Sequence, residues 1–117
     1  MNYFRYMWLE PSLDLRRHEI FEKIRKNGLP EDLYALVLPE SGPNALEIYP
    51  ARILKQKHFK ESEQLVVGLA GSYDSALELG AAVTVTVLEK TGKTDVRAYI
   101  EGAGKAAEKD TEKGTER

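Results

Sequence analysis

The run Gly68-Leu69-Ala70-Gly71-Ser72 passes from apolar residues through a glycine-containing turn into a segment opened by a capping serine. At such a junction the free backbone N–H groups and the helix dipole attract an anion, phosphate above all. Gly68, Gly71 and Ser72 are therefore candidate anion-binding residues. The pattern lacks the Gly-Lys-Ser/Thr of a P-loop and the third glycine of a dinucleotide fingerprint, so a tight structural turn is the preferred reading. A second candidate is the segment from Arg52 to Lys60, where Arg52, Lys55, Lys57 and Lys60 stand beside His58 and Phe59 with no acid among them. Such a cluster can grip phosphates while the ring stacks on a base. The chain as a whole has a pI near 5.7, well below the balance of a dedicated nucleic-acid binder. A solvated basic face is preferred there.

Catalytic chemistry finds less support. His18 and His58 are 40 residues apart, so the two do not form the i,i+4 histidine pair that fixes a metal on a helix. His18 has Asp14 and Glu22 one helical turn away on either side, the pattern of a surface charge pair. Glu61-Ser62-Glu63 reads as a polar turn, and Ser41, Ser62, Ser72 and Ser75 lack the Gly-x-Ser-x-Gly elbow of a nucleophile. With no Cys in the chain, thiolate catalysis, disulfide frameworks and Cys-containing zinc sites are excluded. The expectation is a non-enzyme with no metal and no cofactor.

The last candidate is an interaction surface. Residues 2–9 alternate Phe4, Tyr6 and Trp8 against Tyr3, Arg5 and Met7, the pattern of a strand with one buried face. At a sheet edge the other face, Tyr3 and Met7 beside Arg5, offers the aromatic, Met and Arg composition favoured at protein interfaces.

These residues must be positioned by elements that the sequence also marks. Pro11 ends the first strand. A helix is expected from Ser12 or Asp14 to Asn27, with Leu13, Ile20, Phe21 and Ile24 on its apolar face and Gly28 as its stop. Leu33–Leu38 and Ala45–Tyr49 read as strands joined by the turn cluster Ser41-Gly42-Pro43-Asn44. Pro50 suits the first position of a short helix through His58, and Leu65–Ala70 is a buried strand. Residues 72–91 are ambiguous. Ser72 or Asp74 as cap, a stripe of Ala76, Leu79, Val83 and Val87, and Gly92 as stop describe a helix, whereas Val83-Thr84-Val85-Thr86-Val87 alternates like a strand. The helix is favoured, and Val96–Ile100 is then a short terminal strand or an extra turn.

The resulting order predicts an α+β fold, a split βαβ or ferredoxin-like sheet with helices on one face and one helix appended. Residues 1–101 form the expected domain. Residues 102–117, only Gly, Ala, Thr and balanced charges, are expected to be a disordered tail. The whole chain of 117 residues is 42% hydrophobic and 31% charged with a net charge of −2, an ordinary globular composition. Its longest apolar run, Leu65–Ala70, is too short to span a bilayer and no basic-then-apolar leader is visible, so a cytoplasmic location is expected.

The segments Arg5-Tyr-Met-Trp-Leu-Glu-Pro-Ser-Leu-Asp, Leu65 through Leu79, Glu89-Lys-Thr-Gly and Asp95-Val-Arg-Ala-Tyr resemble a family of small bacterial proteins to which no activity is assigned. The resemblance implies a self-contained bacterial cytoplasmic domain and favours the helix over 73–91. The functional expectation is a non-enzymatic accessory or protein-interaction domain whose partner is another protein or a second copy. Weak nucleic-acid binding through residues 52–60 and small-anion binding at 68–72 are the alternatives, with no membrane partner.

Overall fold

The computed structural model describes residues 1–40 and 46–103. Strands β2 (Tyr34–Leu38) and β4 (Leu65–Ala70) are near-continuous runs of Leu, Val and Ala. Lacking polar alternation, they need cover on both faces and neighbours on both edges. β1 (Asn2–Leu9) and β3 (Glu47–Pro50) carry interspersed polar residues. The sheet order follows: β1-β4-β2-β3, with the two apolar strands inside and the two mixed strands at the edges. β1 runs parallel to β4, while β2 is antiparallel to both β4 and β3. This small α+β fold therefore has a mixed sheet. In a split βαβ unit β1 and β2 would point the same way; here they point in opposite directions with β4 between them, so the ferredoxin-like expectation does not describe the sheet.

Helices cover both faces rather than one, which corrects the second part of that expectation. On one side α3 (Tyr73–Thr91) and a helical segment α4 (residues 96–103) pack on Phe4, Leu36, Leu38 and Val67. On the other, the 3-10 turn Pro11–Arg16, α1 (Arg17–Arg25) and the 3-10 turn Ile53–Lys55 pack on Ala35, Val37, Val66 and Leu69 through Leu13, Ile20 and Leu54. Val67 is an extra residue of β4 against β2, since Leu36 pairs with Gly68 and Val37 with Val66. Gly68 sits at this bulge where no side chain fits easily. A Cβ there would lie 3.1 Å from the Trp8 carbonyl oxygen, 3.1 Å from Leu36 Cδ1 and 3.2 Å from Leu79 Cδ2.

Several boundaries differ from the sequence reading. The first helix opens as 3-10 turns at Pro11 with no side-chain cap, and becomes α-helical only at Arg17. Its stop is Asn27, left-handed at φ 60, not Gly28. The Asn27 N–H donates to the Ile24 carbonyl and the Gly28 N–H to the Lys23 carbonyl, at 2.8 and 2.9 Å, a Schellman closure. Pro50 ends β3 instead of opening a helix, and the segment after it splits into the 3-10 turn and the short α2 (Lys57–Lys60). The ambiguous stretch is helix throughout. Ser72 caps it by accepting from the Ser75 N–H, and Gly92 ends it at φ 74. Residues 96–103 are helical, so Val96–Ile100 is neither strand nor single turn, and the expected tail begins inside that helix. The turn cluster Ser41–Asn44 and the remainder of the tail, 104–117, lie outside the described residues. No described helix is long and apolar enough to cross a membrane.

Candidate functional surfaces

The Gly68–Ser72 turn does lead from a strand into a helix N-terminus, as the sequence implies, but its anion comes from the chain itself. The Gly71 N–H donates to Glu10 Oε2 at 2.7 Å. That hydrogen bond holds the Glu10 carboxyl below its ordinary pKa, with partial burial opposing it and Ser12 and Ser75 assisting. Ser72 spends its hydroxyl on the Ser75 N–H at 3.1 Å. Gly68 faces Leu36 and Leu79. Of the three candidates, only Gly71 presents a group suited to an anion, and Glu10 occupies it.

The four basic candidates separate. Lys55 and Lys60 line a cleft beneath α1, together with Tyr3 and His18. Arg52 and Lys57 are exposed outside it, Lys57 with Glu61 at 3.9 Å. His58 stacks on Phe59 at 4.2 Å between ring centroids. Among the described residues no group of His, Asp or Glu could hold a metal ion.

The N-terminal strand covers more of itself than expected. Phe4 is buried and Trp8 packs beside it, while Tyr3 and Met7 pack against the opposite core cluster. Three extra residues separate the pairs Tyr3–Val66 and Trp8–Gly68, and at this bulge Tyr6 turns out to solvent, 52% exposed. Arg5 is exposed, its guanidinium 5.8 Å from the Tyr6 ring. Of the interface candidates, Arg5 alone stands on open surface.

The apolar surface that sequence reasoning missed is on α3. Ala76, Val83 and Val87 face the sheet and are buried. Tyr73, Leu77, Val85 and Leu88 lie on an adjoining flank and remain 52%, 51%, 51% and 46% exposed. With Ala81 they form one stripe at helical spacing, about 22 Å long. The stripe runs into a groove of about 370 Å³ floored by Leu36, Leu46 and Ile48 and walled by Leu77, Gly80 and Thr84. The groove lies over the edge strand β3, whose apolar residues no described helix fully covers. Along the far side of the stripe stand the exposed carboxylates Asp74, Glu78 and Glu89. The signal was present: from Ala76 to Leu88 the helix is apolar nearly all round, with Glu78 its only charge, a pattern of helices that are buried on more than one side.

No protein-family model, characterised protein or solved structure significantly matches the chain.

Proposed function

We propose that this chain is a non-enzymatic interaction domain, an accessory or regulatory protein whose partner lays an amphipathic helix with a basic flank along α3. The observation that carries this reading is the exposed stripe of Tyr73, Leu77, Val85 and Leu88 beside the groove over β3. Apolar anchors at i, i+4 and i+8 with an adjacent groove are the receiving half of helix-in-groove recognition. The acidic flank Asp74, Glu78 and Glu89 specifies the charge of the visitor. It also disfavours a second copy, because an antiparallel two-fold pairing of α3 would set those carboxylates against themselves. The absence of Cys supports a reducing cytoplasm as the setting.

The test uses two designed amphipathic peptides of about 18 residues, one of Leu and Lys and one of Leu and Glu, titrated by fluorescence anisotropy. The Leu/Lys peptide is expected to bind with a dissociation constant of about 10 µM, and Leu77→Asp should weaken it about tenfold. Equal binding of both peptides, or indifference to Leu77→Asp, would overturn the assignment. Light scattering should give 13.2 kDa, one chain; a dimer dissolved by Leu77→Asp would assign the stripe to a second copy instead.

A further inference from the structure

On the opposite face of the sheet, a cleft of about 520 Å³ opens between α1, β1 and residues 51–60. We infer that it binds a small molecule with an apolar body and one anionic head, such as a carboxylate, sulfonate or phosphate monoester. Its volume lies within the roughly 300–1,000 Å³ of small-molecule sites.

The cleft is built by three backbone closures. The Schellman turn at Asn27 folds the chain back so that Leu29 enters the core beneath α1. The Ala51 N–H donates to the Leu33 carbonyl at 2.9 Å, setting Ala51 and Leu54 against the same floor. The Met1 nitrogen donates to the Lys60 carbonyl at 2.6 Å, which brings α2 against the start of β1. Tyr3, Leu29, Ala51 and Leu54 thereby give the cleft an apolar floor. Burial raises the Tyr3 pKa, so its hydroxyl stays neutral and adds no negative charge.

The charges of the wall decide the ligand. Glu19 and Glu22 line it, but both are engaged by arginines outside the lining: Glu19 by Arg16 at 2.8 Å and Glu22 by Arg25 at 3.0 Å. Lys55 is paired with Glu31. Lys23, Lys26 and Lys60 remain, and among the described residues none has a carboxylate within ion-pair distance. The wall thus holds three lysines outside ion-pair distance of any described carboxylate over an apolar floor, with Lys23 attracting Glu19 only from farther off. Complementarity to the helix dipole would account for Lys23 and Lys26 near the end of α1. It does not account for Lys60, which arrives from a different element, or for the concave apolar floor between them. The Schellman closure also occupies the Lys23 and Ile24 carbonyls, so the end of α1 presents fewer bare acceptors to an approaching anion.

The experiment titrates the full chain with 8-anilinonaphthalene-1-sulfonate by fluorescence. Octanoate, AMP and inorganic phosphate serve as competitors, at low and high salt. One site is expected, displaced by octanoate or AMP and weakened by salt; which of the two displaces better distinguishes an aliphatic acid from a nucleotide. Lys26→Glu with Lys60→Glu should weaken binding by about tenfold or more, while Arg52→Glu with Lys57→Glu, and Leu77→Asp on α3, should leave it unchanged. Circular dichroism of each variant establishes that it is folded. Should Lys26→Glu with Lys60→Glu misfold, Lys60→Gln alone must still weaken binding. Competition by inorganic phosphate as strong as by octanoate would overturn the role of the floor. Indifference to the lysine substitutions, or equal dependence on Arg52 and Lys57, would overturn the site; the latter result points to a diffuse nucleic-acid surface. Loss of probe binding in Leu77→Asp would place the probe on α3 and likewise overturn the cleft.

Discussion

Glu10 closes the N-terminal end of α3 by accepting the Gly71 N–H at 2.7 Å, across 61 residues of sequence. A helix entrance that looks in sequence like a phosphate site is served by an internal carboxylate. Replacing Glu10 by Gln should cost about 1 kcal/mol, the loss of a charge-assisted hydrogen bond at a partly exposed position. The pH dependence has a defined sign. The folded-state pKa of Glu10 lies below its ordinary 4.5, so its contribution is full above that value and is lost as pH falls through the lowered one. Thermal midpoints of wild type and Glu10→Gln should differ at pH 7 and converge as the pH falls through the lowered pKa. Glu10→Ala should also be stabilised more by added sulfate than the wild type, because the vacated N–H can then take a free anion.

Gly68 and Gly80 are both glycines on the α3 face of the core, yet alanine should act on them in opposite directions. At Gly68 the new methyl would meet the rigid Trp8 carbonyl at 3.1 Å and two leucine termini, an overpacking expected to cost about 1–3 kcal/mol. At Gly80 the nearest atom is Leu36 Cδ2 at 3.7 Å, ordinary contact. There the helix propensity of alanine should add about 0.5–1 kcal/mol. Urea denaturation of the two variants checks both signs, and equal destabilisation would refute the packing at β4.

How far the chain could be read in advance follows from which forces are local. Ser72 and Gly92 bound α3 as written, because capping and left-handed stops are chosen within one turn. Local reasoning fails where strands meet: the apolar runs 34–38 and 65–70 were visible, but their meaning, interior strands covered on both sides, is a property of neighbours. Read strictly, those unbroken runs already argue against helices on one face only. The same holds for the site. Lys55 and Lys60 could be named as a charge cluster, whereas their separation from Arg52 and Lys57 depends on where the 3-10 turn places each side chain. Lys23 and Lys26 were hidden because each stands four residues after an acid, Glu19 or Glu22, the spacing of an exposed helical ion pair, whereas in the fold those acids are held by Arg16 and Arg25.

Asn27 carries the positive φ that ends α1, while Gly28 beside it does not. Asn27→Gly should therefore be neutral or slightly stabilising, and Asn27→Val should cost about 1–2 kcal/mol, the strain of a branched residue in the left-handed region. Gly28→Ala should be tolerated, since its Cβ would meet only the Lys23 carbonyl oxygen at 3.8 Å. Chemical denaturation of the three variants tests the assignment, and a larger loss at Gly28 than at Asn27 would reverse it.

Arg25 gives a test of the cleft that leaves every lining residue in place. Its guanidinium holds Glu22 at 3.0 Å from outside the cavity. In Arg25→Gln the released carboxylate can turn to Lys26, one helical turn ahead, and neutralise one of the three wall lysines. Probe affinity at low salt should fall about twofold, the worth of one such pair, and the difference should disappear at high salt. Stability should change by less than about 0.5 kcal/mol, because the Arg25–Glu22 pair is solvent-exposed. Arg16 is unsuited to this purpose, since it also grips Asp32 at 2.7 Å and its removal would release a second carboxylate besides Glu19. Unchanged affinity in Arg25→Gln at low salt would mean that Glu22 does not act on the bound anion, and that the pairing by arginine is not what leaves the cleft positive.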